Sequence, residues 1–193
     1  MIQTRDDLRH YLAEDRRVNL GNLNRSQMIK ARMKDIGGYS AWRFLKALRH
    51  LEYYINNSRR SPINKLLCGY WRLRYTRLTK RYRLEIPPFT TGYGLRISHL
   101  SCGGVVFSNC TVGNYLDLRQ FTTIGNKGDN RHEEQPVLGD HVFLGCGVSI
   151  IGNVHIGDHA TIGAGSVVVK DIPAYAIAVG NPCRVIGSNA PAQ

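Results

Sequence analysis

The sequence predicts a mainly β protein, a parallel β-helix of six-residue repeats preceded by an α-helical segment. Aliphatic residues recur every six positions, and glycine follows most of them. Neither a helical period of 3.6 nor a strand period of 2 produces this spacing, whereas hexapeptide repeats do. An uneven charge distribution sets the first part of the chain apart. The recurring aliphatic residues are Leu100, Val106, Val112, Leu118, Ile124, Leu138, Leu144, Ile150, Ile156, Ile162 and Val168.

Charge divides the 193-residue chain near Arg83. Residues 1–83 hold 20 of the 26 Lys and Arg and 6 of the 14 Asp and Glu, a balance of +14, whereas the remainder carries −2. We therefore expect a basic α-helical domain at 1–83, a β-helix domain at 84–187 and a tail at 188–193. The cytoplasm is the expected compartment, because no signal peptide, membrane span or CxxC pair is recognisable.

Four helices are predicted in the basic domain, at 6–14, 26–34, 40–56 and from 62 to about 82. In the third, an apolar stripe at helical spacing leaves Arg49 and Glu52 off it. The fourth interleaves aromatic residues with arginines, a composition suited to packing on the β-helix or to contact with an anionic membrane or nucleic acid. Packing is the favoured interpretation. Peripheral contact with the inner face of the membrane stays open, and no nucleic-acid motif is present.

The repeat also predicts where individual side chains lie. Three hexads make one coil of about 18 residues, so residues 18 apart stack, and each end of the helix needs a cover. His141 and His159 are 18 apart and should stack on one outer corner. With His155 they form the candidate metal site, but a zinc-type site needs three convergent ligands. No metal requirement is predicted.

Two departures from the repeat are the candidate functional segments. His99 directly precedes the inward-facing Leu100, at the start of the regular pattern. A polar excursion at 125–136 contains Arg131 and His132. A polar loop inserted into a regular solenoid is typically functional.

Four segments resemble the hexapeptide-repeat acetyltransferases of the serine acetyltransferase branch, which includes relatives that act in surface-polysaccharide synthesis. They are Gly-Leu-Arg-Ile-Ser-His at 94–99 and the runs at 142–153, 162–173 and 179–186. The resemblance covers about residues 84–187. It implies a left-handed parallel β-helix assembled as a homotrimer, with acetyl-CoA as co-substrate and active sites between neighbouring subunits.

The resemblance also implies residue roles. His99 matches the catalytic histidine, and imidazole, with a pKa near 6.5, suits the removal of a proton from an attacking alcohol. Glu85 occupies a place similar to the family's orienting carboxylate, but with Glu for Asp and one residue less spacing. The implied acceptor-binding residues are Ser98, Arg131 and His132. The implied cofactor-binding residues are Gly145, Cys146, Gly163, Ala164, Lys170 and Arg184.

The acceptor is where this chain departs from the true serine acetyltransferases. Ser98 stands where they have Asp, and Glu133 and Glu134 follow the Arg-His pair of the loop. A zwitterionic serine needs a carboxylate for its ammonium group, whereas a sugar hydroxyl does not. We therefore expect an O-acetyltransferase acting on a sugar of surface polysaccharide or its precursor, with serine O-acetylation as the alternative. A non-catalytic β-helix scaffold and a γ-type carbonic anhydrase are weaker alternatives.

Overall fold

The computed structural model describes residues 1–34, 38–100, 103–126 and 135–191. Four α-helices come first: α1 (Arg5–Leu20), α2 (Arg25–Lys34), α3 (Tyr39–Asn57) and α4 (Pro62–Tyr82), with a short 3-10 turn at Ser58–Arg60 before α4. The four predicted helices are confirmed. Within the described residues, no helix is both long enough and apolar enough to span a membrane.

Local sequence sets the ends of these helices. At the start of α1, the Thr4 side chain accepts a hydrogen bond from the Asp7 backbone, and the Asp7 carboxylate accepts one from the Thr4 backbone, which is a capping box. At the start of α4, the Ser61 hydroxyl accepts a hydrogen bond from the Asn64 backbone N–H, and Pro62 is at the first helical position. The prediction ended α1 too early, at residue 14. The helix continues to Leu20, and Asp15, which looks like a surface residue in the sequence, is buried in it.

Fourteen short strands follow the helices in the part of the chain that the structure describes. In chain order they are β1 (Leu84–Glu85), β2 (Arg96–Ile97), β3 (Val105–Ser108), β4 (Thr111–Val112), β5 (Asp117–Leu118), β6 (Thr123–Gly125), β7 (Val137–Leu138), β8 (Phe143–Leu144), β9 (Ser149–Ile151), β10 (His155–Ile156), β11 (Thr161–Ile162), β12 (Val167–Val168), β13 (Ala176–Val179) and β14 (Arg184–Ser188).

The strands form the three faces of a prism. Sheet 1 has the order β1-β3-β6-β9-β12, sheet 2 the order β10-β7-β4, and sheet 3 the order β14-β13-β11-β8-β5-β2. Among the described strands, those of different coils pair parallel, and β13 and β14 alone pair antiparallel. The β13–β14 hairpin ends sheet 3, while α1, α3 and α4 contact the coil at the other end.

The aliphatic residues that recur every six positions fill the inside of the prism, and one of them, Val106, was predicted wrongly. Leu118, Leu144 and Ile162 stand opposite one another on successive coils and are fully buried. Val106 was predicted to point inward, but it is 38% exposed, and its neighbour Phe107 is buried opposite Ile124. The six-residue repeat is shifted by one position here. In the four-residue strand β3, side chains alternate between the two faces, so that Val105 and Phe107 point inward and Val106 points outward.

A second correction concerns two charged residues of α3. Arg49 and Glu52 were predicted to lie off the apolar stripe, yet both are buried. Arg49 forms an ion pair with Asp15 of α1 at 2.8 Å and with Glu52 at 3.2 Å. Burial alone would lower the pKa of Arg49, but the two carboxylates outweigh it and raise that pKa above its usual range, so the guanidinium is charged.

The same three side chains bind the first coil of the β-helix. Arg49 donates to the carbonyl of Thr91 at 3.0 Å and to that of Gly92. The carboxylates of Asp15 and Glu52 accept hydrogen bonds from the backbone N–H groups of Leu95 at 3.0 Å and Phe89 at 2.7 Å. These four partners all lie on the first coil of the β-helix, which has no preceding coil to pair with: Thr91, Gly92, Leu95 and Phe89.

We expect Arg49→Met to destabilise the protein by about 3–5 kcal/mol, because it leaves two buried carboxylates without their cation. The measurement is the free energy of unfolding from urea denaturation, monitored by circular dichroism. Arg9→Met is the matched control, since Arg9 forms an exposed ion pair with Asp6 and its loss should change little. An Arg49→Met variant as stable as the unaltered protein would contradict this account.

Candidate functional site

The predicted catalytic histidine lies at the mouth of a cavity between the helices and the β-helix. His99 follows β2, its side chain is exposed, and its backbone adopts φ 57° in the turn. The cavity beside it has a volume of about 430 Å³. Its lining residues are Asn19, Gly38, Ser40 and Ala41 from the helical part, and Arg96, Ile97, Ser98, His99, Leu100 and Arg119 from the β-helix.

Local structure fixes the position of β2 and therefore of His99. The side chain of Asn19, near the end of α1, donates to the carbonyl of Leu95 at 2.8 Å and accepts from the N–H of Ile97 at 3.2 Å. It thus imitates a neighbouring strand along the free edge of β2. On the other edge, the N–H of Ser98 donates to the carbonyl of Leu118 at 3.1 Å. The strand β2, which ends two residues before His99, is therefore hydrogen-bonded along both of its edges.

Two of the predicted cofactor-binding residues, Cys146 and Ala164, lie along the same corner of the prism as His99. Sheet 3 pairs Ile97 with Leu118, Leu118 with Leu144, and Leu144 with Ile162. The residues two places later therefore form a column, which runs from His99 through Gln120 and Cys146 to Ala164. With strands about 4.8 Å apart, this column extends roughly 15 Å from the imidazole. Cys146 and Ala164 are exposed along it.

Glycine allows successive coils to approach closely at this corner. A side chain at Gly145 would place its Cβ 2.5 Å from the backbone nitrogen of Ala164, so the coils meet there without room for another atom. The backbone N–H of Gly145 donates to the carbonyl of Ile162 at 2.9 Å, and that of Gly163 to the carbonyl of Ala178 at 2.9 Å. Around Cys146 and Ala164 the corner therefore consists of backbone and small side chains.

The other predicted site residues lie away from the column. Lys170 follows β12 at the end of sheet 1, and Arg184 is in β14, at the edge of sheet 3; both are exposed. Glu85 is exposed in β1 of sheet 1, opposite Val106, and no hydrogen bond joins it to His99 in the described part of the chain. Arg131 and His132 lie outside the described residues.

An arginine pair beside His99 was missed in the sequence. Arg96 and Arg119 approach the carboxylate of Asp117 at 3.5 and 3.9 Å, and both line the cavity. Burial raises the pKa of Asp117, although the two arginines oppose the shift. The feature that could have indicated this site is the pairing of Arg96 in β2 with Asp117 in β5. It was not recognised because the two residues are not separated by the 18 residues of a regular coil.

The stacked histidines form a ladder instead of a metal site. Tyr115, His141, His159 and Tyr175 stack with ring centroids 4.6, 4.7 and 4.8 Å apart. The prediction that the two histidines stack on one corner is confirmed. Their ring planes differ by 3°, so the ring nitrogens do not converge on one point. Among the described residues, no group of three or more metal-binding side chains is found.

Comparisons with known proteins agree with the repeat. A family model described as "Bacterial transferase hexapeptide (six repeats)" matches residues 135–170. The serine acetyltransferase of Synechococcus elongatus is 38% identical over 100 residues, which is 52% of this chain and 41% of that protein. The structure of the soybean serine acetyltransferase apoenzyme has a TM-score of 0.67 and 26% identity, covering 94% of this chain and 69% of that chain.

A structure of a serine acetyltransferase in complex with CoA has a TM-score of 0.64 and 21% identity, covering 94% of this chain and 70% of that chain. The chain spans less than half the length of the curated relatives it matches. Together the comparisons confirm the left-handed parallel β-helix with its N-terminal helices, and they confirm the resemblance of the hexapeptide repeats to the serine acetyltransferase branch.

We expect Gly145→Ala to destabilise the protein by about 1–3 kcal/mol, because the new methyl group would meet the backbone of the next coil. Gly69→Ala is the matched control: it adds the same methyl group in α4, where no atom lies within 4 Å. That variant should be stabilised by about 0.5–1 kcal/mol. Thermal and urea unfolding measure both, and a Gly145→Ala protein of unchanged stability would refute the close packing of this corner.

Proposed function

We propose that the protein is an acetyl-CoA-dependent O-acetyltransferase. The observation that carries the proposal is the column that leads from His99, beside its cavity, through Gln120 to the small exposed residues Cys146 and Ala164. An extended thioester lying along this column would present its carbonyl to the imidazole. The resemblance to serine acetyltransferases supports the same reaction.

In the proposed reaction, the acceptor hydroxyl attacks the thioester carbonyl while Nε2 or Nδ1 of His99 removes its proton. The tetrahedral intermediate collapses, the carbon–sulfur bond breaks, and the imidazolium returns the proton to the departing CoA thiolate. Backbone N–H groups of the corner would stabilise the oxyanion. Glu85 is proposed to orient His99, and Lys170 and Arg184 to contact the phosphates of CoA.

The proposed acceptor is L-serine. The curated relatives are serine acetyltransferases, and none of the reported matches supports the surface polysaccharide acceptor that the sequence analysis favoured. Arg96 and Arg119 suit the carboxylate of serine, since guanidinium groups bind carboxylates with charge-assisted hydrogen bonds. Ser98, Arg131 and His132 are proposed to complete the acceptor site.

A sugar hydroxyl is the second candidate acceptor. The described residues that line the cavity include two arginines and no carboxylate. Asp117, the nearest acidic group, is already engaged by both arginines. The ammonium group of serine therefore has no partner in the described lining, whereas a neutral or anionic sugar requires none.

The assembly is proposed to be a homotrimer, in which the open side of each groove is completed by a neighbouring subunit. The reaction is proposed to take place in the cytoplasm, and no metal ion is invoked in any step. The homotrimer is proposed from the resemblance to the serine acetyltransferase branch.

The experiment that tests the function is the release of the free CoA thiol from acetyl-CoA, measured against L-serine and a panel of sugars. We expect turnover with serine and a loss of at least about 100-fold in kcat for His99→Ala, the range that general bases contribute. His155→Ala, an exposed histidine in β10, should keep full activity. Undiminished turnover by His99→Ala would overturn the base assignment, and turnover with sugars alone would replace serine as acceptor.

Cys146 provides an independent test of the cofactor groove. Cys146 is exposed, whereas Cys110 is buried and burial raises its pKa to about 12. We expect iodoacetamide to alkylate Cys146 much faster than Cys110, because only the thiolate reacts. Saturating acetyl-CoA, which has no free thiol to consume the reagent, should slow the alkylation of Cys146 at least about tenfold, read peptide by peptide in a mass spectrometer. Equal rates with and without acetyl-CoA would exclude Cys146 from the cofactor site, whether or not acetyl transfer is observed.

A further inference from the structure

Helix α4 presents an apolar stripe to solvent on the side opposite its packed face. Ile63, Leu66, Tyr70 and Leu73 follow each other at spacings of three and four residues and are 69%, 74%, 52% and 53% exposed. These spacings put all four on one face of a helix. Soluble proteins rarely expose such a contiguous apolar row without a partner for it.

The packed face of α4 explains why the stripe is not part of the core. Cys68 and Leu78 are buried on the opposite side of the helix, and Trp71 and Tyr75 pack against the hydrophobic core. Tyr75 also donates a hydrogen bond to the carbonyl of Ile86 at 2.8 Å, which fixes the rotation of the helix on the first coil. The exposed row is therefore held outward by contacts that stabilise the fold.

The charged residues in and around α4 are all basic. Between Glu52 and Glu85 the chain carries nine Lys and Arg residues and no Asp or Glu. Lys65 lines the same surface depression as Leu66, Tyr70 and Leu73, and Arg77 lies four residues after Leu73 on the same helix face; both cations are exposed. An apolar row flanked by cations is the arrangement of helices that lie in the interface of an anionic bilayer.

We propose that this face of α4 docks on an anionic lipid surface, with the apolar row in the headgroup boundary and the flanking cations among the lipid phosphates. The charge distribution decides among the possible occupants. A second copy docked face to face would bring two strongly cationic surfaces together, which is unfavourable. Nucleic acid would satisfy the cations, but it leaves the central row of Ile, Leu and Tyr without an apolar partner. The proposal is independent of the acetyl transfer proposed above.

The test is flotation of the full-length protein with vesicles of phosphatidylcholine, alone or mixed with phosphatidylglycerol. We expect binding only to the mixed vesicles, and its loss in about 1 M salt, where the Debye length falls to about 3 Å. Lys65→Glu with Arg77→Glu should weaken binding at least about 100-fold, since each basic residue near such a surface contributes about a factor of five and each reversal replaces that attraction by a repulsion. Leu66→Ser with Leu73→Ser should weaken it at least about tenfold.

Matched controls separate the α4 face from general charge and hydrophobicity. Arg5→Glu with Arg16→Glu makes the same charge change on α1 and should retain vesicle binding. Ile186→Ser removes a side chain that is 66% exposed in β14, far along the chain from α4, and should retain it as well. All these positions are exposed, so circular dichroism should report unchanged folding.

Three outcomes would overturn the proposal. The first is equal binding to both kinds of vesicle, or binding to neither. The second is full binding by the Leu66→Ser, Leu73→Ser variant, which would mean that charge alone acts. The third is a fall in molar mass of that variant in light scattering, which would mean that another copy of the chain covers the stripe.

Discussion

The unpaired edge of the first coil is the constraint on which the rest of the structure depends. In a β-helix every coil satisfies the backbone groups of its neighbour, but the first coil has no predecessor. Buried backbone groups without partners are costly. Here side chains of the helices replace the missing coil, with Asp15, Asn19, Arg49, Glu52 and Tyr75 all bonded to its backbone. The two carboxylates, of Asp15 and Glu52, and the Arg49 guanidinium also neutralise one another in part.

The same cap builds one wall of the candidate site. Asn19 holds the edge of β2 and lines the cavity beside His99, and Ser40 and Ala41 of α3 line it from the helical side. The helices and the β-helix also share one continuous hydrophobic core. A change in how the helices pack would therefore move the walls of the cavity, even though the proposed base and cofactor column belong to the β-helix.

Residues whose role depends on local spacing could be predicted from the sequence, and those whose role depends on distant partners could not. Six-residue periodicity is enough to place Leu144 inside and His141 on an outer corner, because the coil geometry repeats. It misplaced Val106, where a longer strand changes the phase. Helical spacing predicted Arg49 at the surface, because the carbonyl groups that accept its hydrogen bonds lie about 40 residues later in the sequence. Arg119 beside His99 was missed for the same reason.

The charged cap has a consequence for synthesis of the chain. Asp15 and its partner Leu95 are separated by 80 residues, so a nascent chain displays α1 and α3 long before the first coil exists. During that interval the guanidinium of Arg49 lacks both of its carbonyl acceptors. The helical segment therefore acquires its final burial only when the β-helix begins to form.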